Sequence, residues 1–132
     1  MAFAVALPIA DRRVSHDFYR AAFGLETVGE LGDDGLPEPL QFALGADVLL
    51  VLVPRGGFGW VSAGNAVAEA GTSECLLSRL VPTAADVDRV TETARAAGAT
   101  VRTEPGDPGW GYCSTVADPD GHLWMIQTDP TA

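Results

Sequence analysis

The chain repeats one pattern of predicted elements, and this repeat constrains its fold more than any other feature. Residues 10–30, "ADRRVSHDFYRAAFGLETVGE", and residues 82–104, "PTAADVDRVTETARAAGATVRTE", each contain a cap-like residue, a helical stretch, a small-residue end and a short strand. Apolar or small residues recur at helical spacing in both segments: Val14, Phe18 and Ala22 in the first, and Val87, Val90, Ala94 and Ala97 in the second. A glycine follows each stripe, where a helix commonly ends.

Strand-like segments flank both predicted helices. They lie at 3–9, about 25–31, 38–44 and 47–53 in the first half, and at 74–81, 99–104, 110–117 and 122–128 in the second. Each half therefore predicts the order β-α-β-β-β. We expect an α+β fold in a single domain of residues 1–132, made of two modules at about 1–54 and 74–132. The Gly-rich, non-periodic segment 55–73 is predicted to be a connector long enough to lie over a site.

The clearest turn in the sequence is "DPDG" at 118–121, which runs directly into the last predicted strand. Proline presets φ at the second position of such a turn, and Gly121 is expected to take a positive φ at its end. Two β-α-β-β-β modules with "FYRAAFGLE" after the first strand and "DPDGHLW" before the last resemble the vicinal oxygen chelate superfamily. That superfamily contains glyoxalase I, extradiol dioxygenases and bleomycin-resistance proteins. The segments "AAGATV", "DVD" and "PGWG" resemble a bacterial branch of it.

The resemblance implies an architecture and a place for a metal ion. Each module would curl its sheet around a cleft with helices on the outer face, and modules pair within one chain or across a dimer. Family members with a metal hold it through His, Glu or Gln from the first and last strands of each module. These places fall here at Ala4, at Leu49 or Leu50, near Leu76 (within one residue, reaching Cys75 or Leu77), and at Met125. Since a divalent ion needs several N or O donors, we expect no metal and no other cofactor.

Strand alternation turns Met125 into the expected cleft and turns Trp124 towards the helix. The candidate ligand-binding residues are Trp110, Tyr112, Met125, Ala4, Phe58, Trp60 and Arg79. Trp110 and Tyr112 share one face of the predicted strand 110–117. The two aromatic residues of the connector cover either the core or a ligand. Arg79 is a lone charge in an apolar strand, where it either extends to the solvent at a sheet edge, which we favour, or anchors an anion in the cleft.

Composition excludes several other functions. The chain has 18 acidic residues and 8 basic ones, all of them Arg, for a net charge of −10. This balance argues against nucleic acid; it favours solubility, or a cationic ligand through the long-range field. The longest apolar run, 48–54, is far below the ~18 residues that span a bilayer, and no basic region precedes the N-terminal apolar stretch. Cys75 and Cys113 lack CxxC spacing, so we expect reduced thiols in a cytoplasmic protein.

Motifs for catalysis are sparse. There is no Gly-x-Ser-x-Gly and no Gly-rich phosphate loop, and no base is evident beside Cys113. We therefore interpret the chain as a metal-free relative, expected to form a homodimer, that binds a small organic molecule in an apolar, aromatic-lined cleft, with antibiotic sequestration as one such role. The alternatives are a lyase, isomerase or dioxygenase with a non-standard site, and a structural or ligand-sensing partner of another protein.

Overall fold

The computed structural model describes residues 1–131, and within them the chain forms two mixed β-sheets and three helices. The elements are β1 (Phe3–Ile9), α1 (Arg12–Phe23), β2 (Leu40–Ala43), β3 (Val48–Pro54), α2 (Arg55–Val61), β4 (Leu76–Val81), α3 (Ala84–Ala96), β5 (Thr100–Gly106), β6 (Cys113–Ala117) and β7 (Leu123–Thr128). The predicted α+β class is confirmed. Among the described residues, no helix has the length and apolar character needed to cross a membrane.

The chain divides into two compact units, and the first comprises Met1–Arg20 and Gly24–Ala68. Its sheet has the order β1-β3-β2, with β1 and β3 parallel and β2 antiparallel to β3. Helix α1 begins where the Asp11 carboxylate accepts the Val14 N–H at 2.9 Å, and it ends at Gly24, whose φ is 63°. Alternation buries one face of the sheet in the core: Leu7, Ile9, Phe42, Leu50 and Leu52.

The second unit comprises Ala21–Phe23, the last turn of α1, and the chain from Glu69 onward. Its sheet has the order β4-β7-β6-β5, in which β4 and β7 are parallel and the other pairs antiparallel. Helix α3 begins at Thr83, whose hydroxyl accepts the Asp86 N–H, and it buries Val87, Val90 and Ala94. Its Thr91 hydroxyl lies 2.7 Å from the hydroxyl of Ser114 on β6. This bond identifies which face of the sheet α3 covers.

Two predicted strands differ in the structure, and the connector contains a helix that was not predicted. Segment 25–31 forms only isolated bridges, Thr27–Phe42 and Leu31–Pro37, because Gly29 at φ 108° interrupts the extended backbone. Strand β6 begins at 113 rather than 110, because the preceding residues form a turn. The connector opens with the seven-residue helix α2. Three of those seven residues are Gly, which disfavours helix, so the sequence carried no signal for it.

The turn before β7 forms as predicted. Gly121 has φ 87°, and its N–H donates to the Asp118 carbonyl at 3.0 Å. The buried Asp118 carboxylate accepts the N–H groups of Asp120 and His122, both at 2.9 Å. A Cβ on Gly121 would lie 2.9 Å from the backbone N and Cα of Gly71. Hydrogen bonds to the Asp118 carboxylate and carbonyl therefore stabilise this turn, and the chain that precedes β4 packs against it at Gly71.

Candidate functional site

The four strands that would hold the family's metal are β1, β3, β4 and β7, and together they contain no His, Cys, Asp or Glu. Pairing places Ala4 opposite Leu49, so the buried Leu50 lies on the other face of β3. In the second unit, the two places assigned to metal ligands are Leu76 and Met125, but Met125 pairs with Ser78, two residues after Leu76. Because no register of these strands could bring charged or imidazole donors together, the residues present do not fit a divalent ion.

Neither histidine belongs to one of these four strands. His16 on α1 stacks on Phe42 with ring centroids 6.2 Å apart, and its Nδ1 lies 2.8 Å from the Asp17 carboxylate. His122 lies in the turn before β7. Within residues 1–131, no three His, Cys, Asp or Glu side chains are grouped so that they could hold a metal ion.

The sheet of the second unit has one face that α3 does not cover, and we call this the Met125 face. Ser114 is bonded to Thr91 of α3, so residues that alternate with it on β6, and their partners on β7, lie on the opposite side. The Met125 face consists of Leu76, Ser78 and Leu80 on β4, Leu123, Met125 and Gln127 on β7, and Cys113, Thr115 and Ala117 on β6.

The Met125 face combines apolar and neutral polar side chains, and none of the nine residues that define it is charged. Leu76 is 49% exposed and Leu80 is 51% exposed, while Met125 is half-buried. Ser78 on β4 and Thr115 on β6 are the two cross-strand partners of Met125. Large aliphatic side chains at half exposure, with a few neutral polar groups among them, can bind an organic molecule by removing apolar area from water.

The first unit has a sheet face of similar composition, formed by alternate residues of β1, β3 and β2. Ala4 and Ala6 on β1 are exposed, and their partners Leu49 and Val51 on β3 are half-buried. Gln41 on β2 pairs with Val51 and supplies an amide. Ala4 therefore lies on a sheet face whose residues on β1, β3 and β2 are uncharged.

Tyr112 lies towards α3. Its hydroxyl donates to the carboxylate of Asp88 on that helix at 2.6 Å, and this hydrogen bond, with some desolvation, raises the pKa of Tyr112 above its usual value. The bond directs the side chain to the side of the sheet opposite Met125. Sequence reasoning placed both residues on one wall because it did not have the register of β6 against β7: Met125 pairs with Thr115, whereas Tyr112 alternates in step with Ser114.

Trp110 is presented by a hydrogen-bonded loop before β6. The Asp107 carboxylate accepts the N–H of Gly109 at 2.8 Å and that of Gly111 at 3.1 Å. Trp110 lies between these anchored glycines and is 69% exposed. An exposed indole on a loop braced in this way loses little conformational entropy when it meets a flat molecule.

Arg79 lies on the helix side of β4, where it pairs with the buried Ile126. Its guanidinium carbon is 5.6 Å from the centroid of the Phe23 ring, which in turn packs against Trp124 at 5.1 Å. Within residues 1–131 its Nε is buried without a hydrogen-bond partner. Arg79 therefore lies over an aromatic ring on the helix side of the edge strand β4, and not on the Met125 face.

The remaining two candidates lie on α2 in the first unit. Trp60 is 82% exposed and Phe58 is half-buried. The structure thus distributes the predicted ligand-binding residues over several surfaces, and the Met125 face holds only Met125 itself. It adds Ser78 and Thr115, which sequence reasoning missed because only cross-strand register shows that they adjoin Met125.

The fold and the open faces define a class of protein: a tandem-module α+β chain whose uncovered sheet faces carry apolar rather than metal-binding side chains. Residues 3–126 match the model of the Glyoxalase/Bleomycin resistance protein/Dioxygenase superfamily. The chain therefore belongs to that superfamily, as the sequence predicted. A search of the curated proteins finds no match.

Solved structures give the same result for the fold. A glyoxalase-related enzyme from Fulvimarina pelagi is 26% identical, with 98% of this chain and 88% of that chain covered and a TM-score of 0.84. TnmS3, an antibiotic binding protein from Streptomyces sp. CB03234, is 24% identical, with coverage of 97% and 94% and a TM-score of 0.65. TioX from Micromonospora sp. ML1 is 22% identical, with coverage of 97% and 98% and a TM-score of 0.69.

Proposed function

We propose that this chain binds a small, mainly apolar organic molecule on the Met125 face and does so without a metal ion. The observation that carries the proposal is the residue set of the four strands. Where the superfamily's metal-dependent members have ionisable ligands, this chain has alanine, leucine and methionine. Such side chains contribute to binding by burial, and methionine adapts its shape to the molecule that it contacts.

The relatives support a binding role. TnmS3 is an antibiotic binding protein with the same fold, so the fold is compatible with sequestration of a drug-sized molecule. We propose the same kind of role here, with Trp110 as an aromatic contact at the end of the sheet where β6 begins. An aromatic contact adds about 0.5–1.5 kcal/mol beyond burial. Ala4 and the connector aromatics Phe58 and Trp60 stay predicted contacts in the first unit.

Two further expectations accompany the proposal. Cys75 is exposed and Cys113 is buried, and both are free thiols, which supports a reducing compartment such as the cytoplasm. The homodimer stays a prediction, and sedimentation equilibrium of the purified protein tests it directly.

The test is a titration of variants with a bound compound. Thermal-shift screening against a panel of aromatic antibiotics supplies the compound, and wild type is then compared with Met125→Glu, Met125→Leu and Trp110→Ala. For an uncharged compound, Met125→Glu would place a carboxylate without a partner under the bound molecule. We expect affinity to fall at least about tenfold, which corresponds to about 1.4 kcal/mol.

The conservative variant is the matched control. Met125→Leu keeps an apolar side chain of similar volume and should bind within about threefold of wild type. Trp110→Ala should weaken binding and should also reduce any change in tryptophan emission. If Met125→Glu binds as tightly as wild type, the molecule does not lie on this face and the proposal fails.

A further inference from the structure

We infer that the molecule bound on the Met125 face is uncharged and carries a hydroxyl or carbonyl group that bonds to Ser78 or Thr115. This inference rests on the proposed function and narrows it to a class of ligand. It follows from two features of the face: the absence of charged side chains among its nine residues, and the hydrogen-bonding state of the polar groups beside Met125.

The first feature concerns electrostatics. None of the nine side chains of the Met125 face is ionisable as a carboxylate, ammonium, guanidinium or imidazole. A charged group brought onto this surface would lose water without gaining an opposite charge, which costs several kcal/mol. The net charge of −10 attracts cations from a distance, but salt screens that field within about 10 Å. Local chemistry therefore opposes a charged ligand even though the overall charge would draw a cationic one.

The second feature is an unused set of hydrogen-bonding groups. Within residues 1–131, the side chains of Ser78, Thr115 and Gln127 make no hydrogen bond. On the other side of the same sheet the hydroxyl of Ser114 is paired with Thr91 at 2.7 Å. The Ser114 hydroxyl of the covered face is thus satisfied internally, whereas the hydroxyls and the amide of the Met125 face are available to a ligand or to water.

The spacing of these groups sets the width of the ligand. Ser78 and Thr115 pair with Met125 from opposite sides, so they lie two strand spacings apart, roughly 9–10 Å. A flat molecule that covers the Met125 side chain extends towards one hydroxyl or both. A hydroxyl accepts and donates, so an alcohol, phenol or carbonyl at the rim of the molecule can form the bond.

Four naphthalenes with one variable substituent test the inference. They carry a hydroxymethyl, a methyl, a carboxylate or an aminomethyl group, so the ring is constant while charge and hydrogen bonding change. Binding to wild type, Ser78→Ala and Thr115→Val is measured by calorimetry at neutral pH. Thr100→Val, on β5 opposite Ala117, removes a hydroxyl further along the same side of the sheet and serves as the control.

The hydroxymethyl compound should bind wild type at least about tenfold more tightly than the carboxylate and the ammonium compounds. Ser78→Ala or Thr115→Val should weaken it about 2- to 10-fold, the range of one net hydrogen bond. Neither variant should change the affinity for the methyl compound. Thr100→Val should leave the affinity for both the hydroxymethyl and the methyl compound unchanged. Unaltered melting temperatures would show that the hydroxyl losses act on the ligand and not on the fold.

The outcomes separate this inference from the function on which it rests. If a charged naphthalene binds as tightly as the hydroxymethyl compound, or if neither hydroxyl variant weakens that compound while Met125→Glu does, the proposed function stands and the uncharged, hydrogen-bonding class is wrong. If no naphthalene binds at millimolar concentration, or if all bind Met125→Glu as they bind wild type, both proposals are overturned.

Discussion

Gly121→Ala tests whether the turn before β7 and the chain before β4 approach each other as closely as the structure shows. Two costs add. At φ 87° an alanine is strained by about 1–2 kcal/mol. The new Cβ also lies 2.9 Å from two backbone atoms of Gly71, so the backbone must move by roughly half an ångström to reach an ordinary contact, and overpacking costs about 1–3 kcal/mol.

The sum is about 2–5 kcal/mol. Gly71 lies in an exposed turn, closed by a bond from the Thr72 N–H to the Glu69 carbonyl, so it can yield. We therefore expect about 2–3 kcal/mol. For a chain of this length, about 4 °C per kcal/mol gives a fall in melting temperature of about 8–12 °C.

Gly71→Ala is the matched control for this experiment. Gly71 has φ 86°, almost the same as Gly121, but its added Cβ would meet nothing within 4 Å. Gly71→Ala should therefore lose only the free energy that backbone strain costs, about 1–2 kcal/mol, because its Cβ makes no close contact. Urea denaturation followed by circular dichroism measures both variants. Equal losses in Gly121→Ala and Gly71→Ala would refute the close approach, and no loss in either would refute the argument from φ.

Two more predictions concern the metal and pH. Protein purified without added metal should contain less than one equivalent of zinc, iron, manganese or nickel by elemental analysis, and chelator should leave its melting temperature unchanged; stoichiometric metal whose removal costs stability would contradict the donor argument. The hydrogen bond to Asp88 raises the pKa of Tyr112. The stability that this bond contributes is therefore complete below the ordinary tyrosine pKa and is lost as pH rises through the raised pKa. Absorbance titration of wild type, with Tyr112→Phe subtracted, should show a midpoint above about 10 that Asp88→Asn moves down, and an unmoved midpoint would contradict the bond.

Much of the fold was readable from local sequence because the signals act between near neighbours. The helical stripes ending in glycine predicted α1 and α3, and "DPDG" predicted the turn and the positive φ of Gly121. The repeat predicted the α+β class, and "FYRAAFGLE" and "DPDGHLW" within it carried the resemblance to the superfamily. The absence of ionisable ligands is also a property of sequence, since it holds for every residue of the four strands and does not depend on how they pair.

Strand composition predicted that Met125 lies on the face opposite Trp124, because alternation is fixed by the pleat. It could not show that Ser78 and Thr115 adjoin it, since β4, β6 and β7 are joined by long or turning segments and their register depends on hydrogen bonds between distant residues. The same limit explains Tyr112. Tyr112 lies two residues before Ser114 and bonds to Asp88 on α3, 24 residues earlier, whereas Met125 pairs with Thr115 on the other side of the sheet.

The sequence by itself determined which side chains are available: apolar and neutral residues where related proteins bind metal, and turn residues where the chain must reverse. The tertiary structure alone decided which of them meet. It brought two unpaired hydroxyls beside Met125, placed Arg79 against Phe23 on the covered side, and brought Gly71 to the Gly121 turn. The reason is that backbone conformation and composition are local, whereas contacts between strands depend on the register in which separate segments bury their apolar faces.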